Sequence, residues 1–333
     1  MTVHTILIYI PSHSDLPLAL KNIKLIRESI NFRKDLKGIF QVLISLSING
    51  IELTTVEIEN IKDIVDDFNY IKSNISGDTN ILQGYLKALE IGPDYLWILS
   101  ANEILQPNFL ENLYSLILGN LEIDIFIASG GKTLEIRNVT NIFLELRKHS
   151  GVGLISSTIY KFKSTSDYFF IGNKFHWTGW GHLAVIQQSL SSNANFTIIE
   201  YPGELLYKHG DYFDNLDRSR SLEINRIKYH DSFFALPILA SYFMIKNKKE
   251  FTAYYWFWLK QVWLKINYFR FRVGDPIDST KVINPIWIEK YFLLTIKANN
   301  LLLYFLTRLI YVLPIYKFQK FKILKLLYGK YIK

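Results

Sequence analysis

Ser100, Asn102 and Glu103 follow directly on the apolar run Tyr95-Leu-Trp-Ile-Leu99. Together they offer hydroxyl, amide and carboxylate oxygens, the ligand type preferred by hard cations such as Mg²⁺ and Mn²⁺. They carry a single formal negative charge, so a cation held by Asn102 and Glu103 needs further help, for which His209 is the candidate. The competing reading is structural: polar residues that end a strand and cap the segment opened by Pro107.

A second constellation is Phe175-His-Trp-Thr-Gly-Trp-Gly-His182. Imidazole titrates near neutral pH, so His182 at the mouth of a cleft can take a proton from a hydroxyl. Trp177 and Trp180, set beside glycines, suit a loop that approaches and stacks on a ring. The alternative is a tryptophan core with His182 at a helix start. Further on, Tyr207-Lys-His-Gly-Asp211 holds His209, which on its own reads as a turn histidine beside a glycine, and makes Asp211 the nearest carboxylate and the reserve base. His13 follows Pro11 and Ser12 at the end of the first apolar run. Lys174, Arg218 and Arg220 are either phosphate-neutralising cations or solvated surface charges. Ser129-Gly-Gly-Lys-Thr133 lacks the preceding glycine that a phosphate loop requires and reads as a turn.

The elements that must position these residues alternate. Thr5–Ile10, Phe40–Leu46, Phe68–Ile71 and Tyr95–Leu99 are short apolar runs that read as strands. Between them Leu16–Ile30, Val56–Asp67 and Asp78–Glu90 have helical spacing. A βαβαβαβ order implies a mostly parallel sheet covered by helices on both faces, with ligands beyond the carboxyl ends of the strands. Those ends are Pro11–Ser14, Ser45–Asn49 and Ser100–Glu103. Beyond residue 125 the expected elements are strands at Ile125–Ala128 and Phe196–Tyr201 and helices at Asn141–Lys148, Leu183–Leu190 and Leu216–Lys246.

The 333 residues contain no cysteine, which excludes disulfides, thiolate metal sites and cysteine nucleophiles and fits a reducing cytoplasm. The first ten residues have no basic segment and read as a strand rather than a signal peptide. Charge is uneven. Residues 246–333 hold 17 Lys/Arg and 4 Asp/Glu, a net of +13, against −5 for residues 1–245 and +8 overall. We therefore expect a catalytic or binding domain over 1–246 and a basic, aromatic, helical extension over 247–333.

The order of these segments resembles bacterial family-2-like glycosyltransferases of the GT-A fold. The resemblance rests on Pro11-Ser12-His13-Ser14 after the first strand, on Asn74-Ile-Ser-Gly77 with Gly84 and Ala88, on Tyr95–Leu110 with its Pro-opened helix, and on Tyr207-Lys-His-Gly210. It spans roughly residues 5–212. The family's Asp-x-Asp metal motif is represented here by Ser100-Ala-Asn102. The second-strand carboxylates are replaced by Leu43–Asn49, the Ala-Arg-Asn before Gly84 by Asn80-Ile-Leu82, and the acidic pair on the acceptor side by Thr178–Leu183.

The resemblance implies a GT-A-like α/β fold and inverting transfer of a sugar from a nucleotide-sugar donor to a lipid-linked or cell-surface glycan acceptor. Donor contacts would come from Pro11, Ser12, His13, Ser45, Ser47, Gly77, Ser100, Asn102, Glu103 and His209. Trp177 and Trp180 would meet the acceptor, and His182 or Asp211 would act as base. Mg²⁺ or Mn²⁺ at Asn102, Glu103 and His209 is one reading and metal-independent transfer the other. A different class, a catalytically silent GT-A-like scaffold, is favoured by the absent carboxylates.

The tail mixes Trp, Tyr and Lys, as residues at a lipid headgroup boundary do. Leu301–Leu313 is 13 residues long and includes Arg308, too short to span a bilayer. The expectation is a peripheral protein on the inner face of the cell membrane, held by anionic lipid, with a homo-oligomer interface or ordinary core as alternatives. No nucleic acid is expected, although basic aromatic patches also serve RNA.

Overall fold

A computed structural model of the chain describes residues 3–13, 16–33, 38–73, 75, 77–128, 134–136, 141–145, 155–193, 195–201, 205–206, 234–272 and 285–312. The chain divides into two compact units, Met1–Arg218 and Ser219–Lys333. The compositional boundary at 246/247 falls inside the second.

The first unit is built on an eight-stranded sheet. Its strands are β1 (His4–Ser12), β2 (Phe40–Asn49), β3 (Asp67–Ile71), β4 (Tyr95–Ile98), β5 (Ile125–Ala128), β6 (Leu134–Ile136), β7 (Thr158–Lys161) and β8 (Ile198–Tyr201). They lie in the order β3-β2-β1-β4-β7-β5-β8-β6. β1, β2, β3 and β4 are mutually parallel, as is the β5–β8 pair, whereas β7 and β6 run antiparallel to their neighbours. The sheet is thus mostly parallel, as the alternating pattern predicts.

Buried on both faces, β1 reads as a continuous apolar run, with Ile6, Leu7, Ile8, Tyr9 and Ile10 all inaccessible. On one face Ile6, Ile8 and Ile10 join Phe40, Val42, Ile44, Leu46, α1 (Leu16–Phe32) and α4 (Phe109–Leu118) in the main core. Helix α1 buries Ala19, Asn22, Ile23 and Ile26, the stripe of a 3.6-residue period. On the other face α3 (Gly77–Ile91) lies directly over Tyr9. The intervening α2 (Thr55–Lys62) starts with a capping box, in which Thr54 and Glu57 exchange hydrogen bonds of 2.8 Å and 3.3 Å.

The strand β1 runs past the expected end at Ile10. The carbonyl of Tyr9 accepts from Leu99 N at 2.9 Å, so Tyr9 points its backbone toward β4. Pro11, two residues on, turns its ring nitrogen to that same side, where β4 has already ended. A proline is tolerated there because no ladder bond is lost.

After β5 the chain forms short helices α5 (Ile142–Glu145), α6 (Phe162–Thr165), α7 (Phe169–Lys174) and the longer α8 (Gly181–Ser192). The second unit is helical where described, over residues 234–243, Lys248–Arg272, Pro285–Asn299 and Leu301–Val312. Phe292 packs against Phe234 and Trp258 at 5.0 Å and 5.4 Å between ring centroids. Tyr255 and Thr307 share a buried hydroxyl–hydroxyl hydrogen bond of 2.8 Å.

Candidate functional site

From β1 the chain moves outward to β2 and β3, then returns to add β4 on the opposite side of β1. Connections therefore diverge at the carboxyl ends of β1 and β4, and the space between those two ends is the usual ligand position in an open α/β sheet. Pro11, Ser12 and His13 lie at one lip and the Ser100–Glu103 turn at the other.

Two buried asparagines build the first lip. Asn49, at the end of β2, donates from Nδ2 to the Ser12 carbonyl at 3.3 Å and accepts at Oδ1 from Ile75 N at 3.2 Å. Its own carbonyl faces Nδ1 of His13 at 2.8 Å. A carbonyl can only accept, so Nδ1 carries the proton and Nε2 of the neutral ring is left as an acceptor. Asn80, in the first turns of α3, donates from Nδ2 to the carbonyls of Ser12 and Ser47, each at 3.4 Å. The Tyr9 hydroxyl donates to the Asn80 carbonyl and Oδ1 at 3.0 Å and 3.2 Å. Burial keeps that phenol protonated well above its usual range, with a Ser47 hydrogen bond opposing.

Ser12 is 1% exposed, and among the described residues its hydroxyl has no hydrogen-bond partner. A buried hydroxyl ordinarily finds one. Ser47 is fully buried, with its Oγ accepting from Asn69 Nδ2 at 3.4 Å. Ser45 stands apart from this group. It lies mid-strand and its hydroxyl donates to Asp67 Oδ2 at 2.6 Å, while Lys87 donates to Asp67 Oδ1 at 3.0 Å. Burial alone would lower the Lys87 pKa, but the bonds to Glu90 and Asp67 outweigh it and raise it. Gly77 opens α3.

The second lip is a turn closed on itself. Ser100 Oγ donates to Asn102 Oδ1 at 2.6 Å, and Glu103 N to the Ser100 carbonyl at 3.1 Å. Asn22 of α1, 2% exposed, holds the turn from below, donating to the Glu103 carbonyl at 2.7 Å and accepting from Leu105 N at 3.3 Å. Ser156 Oγ accepts from Ser100 N at 3.0 Å. Leu105 then bridges Leu206, and Gln106 N donates to the Leu205 carbonyl at 3.0 Å. Leu206 leads in sequence into His209 and Asp211, which lie outside the described residues together with Arg218 and Arg220.

This turn supplies one carboxylate, and among the described residues no group of three or more His, Asp or Glu converges as a metal site would. Ser100, Asn102 and Glu103 do not reproduce the paired carboxylates of an Asp-x-Asp motif.

The tryptophan- and histidine-bearing segment forms a third group. Gly179, at φ 73°, ends a short 3-10 turn over His176–Thr178 in the left-handed conformation that glycine adopts most easily. Thr178 Oγ1 donates to the Phe175 carbonyl at 2.6 Å and accepts from Trp180 N at 3.0 Å, fixing Trp180 at the entrance to α8. A Cβ on Gly181 would stand 2.9 Å from the Gly172 carbonyl, so α7 and α8 meet backbone to backbone. His182 is 5% exposed, its ring tilted against Trp180 at 5.9 Å. Trp177 and Trp180 are half-buried. The His176–Thr178 turn packs on α3, the helix that carries Asn80.

Of the residues expected at the site, Pro11, Ser12, His13 and Ser47 are thus gathered at one lip. Ser100, Asn102 and Glu103 form the other, and Trp177, Trp180 and His182 sit on a neighbouring element. Asn49 and Asn80, which tie the first lip together, were not among the site residues drawn from the sequence.

Among solved structures, the chain is similar to residues 1–349 of S. aureus TarS in complex with UDP, at a TM-score of 0.55 and 10% identity over 92% of this chain and 88% of that one. The same fragment in complex with UDP-GlcNAc matches with a TM-score of 0.52 and 9% identity, over 89% and 80% of the two chains. A longer structure of S. aureus TarS matches with a TM-score of 0.51 and 9% identity, over 89% of this chain but 48% of that one, so the chain spans about half its length. No family model and no curated protein matches the sequence. At this identity the likeness establishes the fold, which is GT-A-like.

Proposed function

We propose that the protein is a glycosyltransferase that moves a sugar from a nucleotide-sugar donor to a lipid-linked or cell-surface glycan acceptor in envelope polysaccharide synthesis. The observation that carries this reading is the buried Ser12 hydroxyl, without a partner among the described residues, at the β1–β4 switch point. It stands in a fold like that of TarS, which was crystallised with UDP and with UDP-GlcNAc. Ser12 and His13 Nε2 are the groups that meet the donor from one lip, and Ser100, Asn102 and Glu103 meet it from the other.

Transfer is inverting in this reading. His182, or Asp211 in its place, takes the proton from the acceptor hydroxyl. The acceptor oxygen forms its bond to the anomeric carbon on the face opposite the nucleoside diphosphate, and the bond to that leaving group breaks. Negative charge on the departing diphosphate needs compensation. Lys174, Arg218 and Arg220 are candidates if no divalent cation is used, and Asn102, Glu103 and His209 if one is. Trp177 and Trp180 offer faces for the acceptor.

A second reading, a catalytically silent GT-A-like scaffold, is favoured by one observation. The Ser100 hydroxyl donates to the Asn102 amide oxygen, so two of the neutral groups standing in place of the paired carboxylates are bonded to each other.

A thermal-shift panel of UDP- and GDP-sugars, each with and without Mn²⁺, separates the readings. Donor at about 100 times its Kd stabilises the folded state by about 2.7 kcal/mol. A shift with one donor supports the transferase, and its dependence on Mn²⁺ decides the metal question. A flat response across the panel favours the scaffold.

A further inference from the structure

The Leu301–Val312 helix turns an apolar face outward. Leu301, Leu302, Phe305 and Leu309 are 54%, 65%, 60% and 55% exposed, and their spacing puts them on one side of the helix. Arg308, also exposed, lies on that side. The opposite side is the docked one. Leu303 and Thr307 are fully buried, and Thr307 is held by the Tyr255 hydroxyl at 2.8 Å. This reverses the ordinary surface helix, whose outward stripe is polar. On the preceding Pro285–Asn299 helix, Tyr291 and Leu294 are likewise more than half exposed. Lys297 there places its ammonium 5.9 Å from the Tyr304 ring centroid, at the side of the same patch.

On the two helices that carry the patch, Lys290, Lys297 and Arg308 outnumber Glu289, and the sequence that follows is basic. From Lys290 to Lys333 the sequence holds nine Lys/Arg and no Asp/Glu. At 12 residues the helix is about 18 Å long against a hydrocarbon core of about 30 Å, and no described helix is long and apolar enough to cross a membrane. A second copy of the chain fits the patch poorly, because a two-fold contact would bring like charges face to face. An anionic bilayer accepts both components, leucine and phenylalanine below the headgroups and cations at the phosphates.

We propose that the outward face of the Leu301–Val312 helix docks on an anionic lipid surface, with Leu301, Leu302, Phe305 and Leu309 entering the headgroup layer and Arg308 and Lys297 meeting lipid phosphates. The helix lies in the plane of the membrane, and the rest of its unit is carried on the helix's buried side.

The test is sedimentation of the full chain with vesicles of phosphatidylcholine alone and of phosphatidylcholine with phosphatidylglycerol, at low salt and without nucleotide or sugar. The parent chain is expected to pellet with the anionic vesicles and not with the neutral ones. The pair Leu302→Glu and Phe305→Glu should lower the bound fraction by about tenfold or more, with circular dichroism and Tm unchanged because both side chains are exposed. The pair Leu118→Glu and Leu121→Glu, at exposed leucines of the first unit, should pellet like the parent. A parent chain that ignores anionic vesicles, or a face variant that pellets as well as the parent, overturns the proposal. So does light scattering that finds a parental dimer and a monomeric face variant that both pellet equally, which would assign the face to a contact between copies. With no donor present, the outcome is independent of sugar transfer.

Discussion

The ring of Tyr9 occupies the space that any side chain at position 84 would need: a Cβ on Gly84 would stand 2.6 Å from Cδ1 and 3.0 Å from Cγ. Helix α3 therefore rests on β1 at backbone distance, and at that height the Tyr9 hydroxyl reaches Asn80. Alanine is the better helix former by about 1 kcal/mol, so glycine persists here against propensity.

Gly84→Ala is expected to cost about 1–3 kcal/mol, because the ring is buried and cannot swing into solvent. Urea unfolding measures the loss. The same variant should weaken donor-induced stabilisation, since lifting α3 pulls Asn80 away from Ser12. A variant as stable as the parent would mean that the ring repacks freely.

Replacing Ser100 and Asn102 together by aspartate would place two carboxylates where a 2.6 Å hydrogen bond now stands. Without a cation they repel, and we expect a loss of about 1–3 kcal/mol in EDTA. Mn²⁺ should restore the melting temperature of this variant and leave that of the parent far less changed. Indifference to Mn²⁺ would mean that the two side chains do not converge on one ion.

His182→Asn should lower transfer by about 100- to 10,000-fold, the usual contribution of a general base, while donor-induced stabilisation stays at the parental level. Asp211→Asn is the companion measurement. Full turnover in the histidine variant with loss in the aspartate variant would move the role to Asp211.

Alkaline pH should unfold the protein through its buried phenols. Burial pushes Tyr95 and Tyr114 up to about 12 from an ordinary 10.0, and Tyr9, Tyr85, Tyr160, Tyr254 and Tyr255 are also raised. Below pH 10 both folded and unfolded chains keep these protons, and the stabilising contribution is complete. Above it the unfolded chain ionises first, so stability falls as pH climbs through the folded-state values. The urea midpoint should decline above pH 10, with tyrosinate absorbance rising together with the loss of helical signal. Tyrosinate that forms in a still-folded chain would contradict this.

The first four strands and the helices between them were legible because each is a local pattern: Leu16–Phe32 carries its apolar stripe, and Phe40–Asn49 its apolar run. β7 was not legible as the strand beside β4. Its partners, β4 and β5, are set by long-range pairing, and Thr158–Lys161 is too short to announce a direction. The switch point between β1 and β4 was legible from the order of elements, which fixes where connections diverge. What Ser45 does was not, because its partner Asp67 is 22 residues away and meets it only across strands. The roles expected of His209 and Asp211 fall outside the described residues.

Asn22 holds the turn after β4 through the Glu103 carbonyl and the Leu105 amide, both backbone groups. Neither bond depends on which side chains the turn displays. The path of the chain there is held by Asn22 as well as by the Ser100–Asn102 bond, so the backbone of the turn keeps its anchor when side chains at positions 100, 102 and 103 change. The turn is in effect an interchangeable cassette on a fixed mount, and new ligand sets can be installed there by design without rebuilding the sheet beneath.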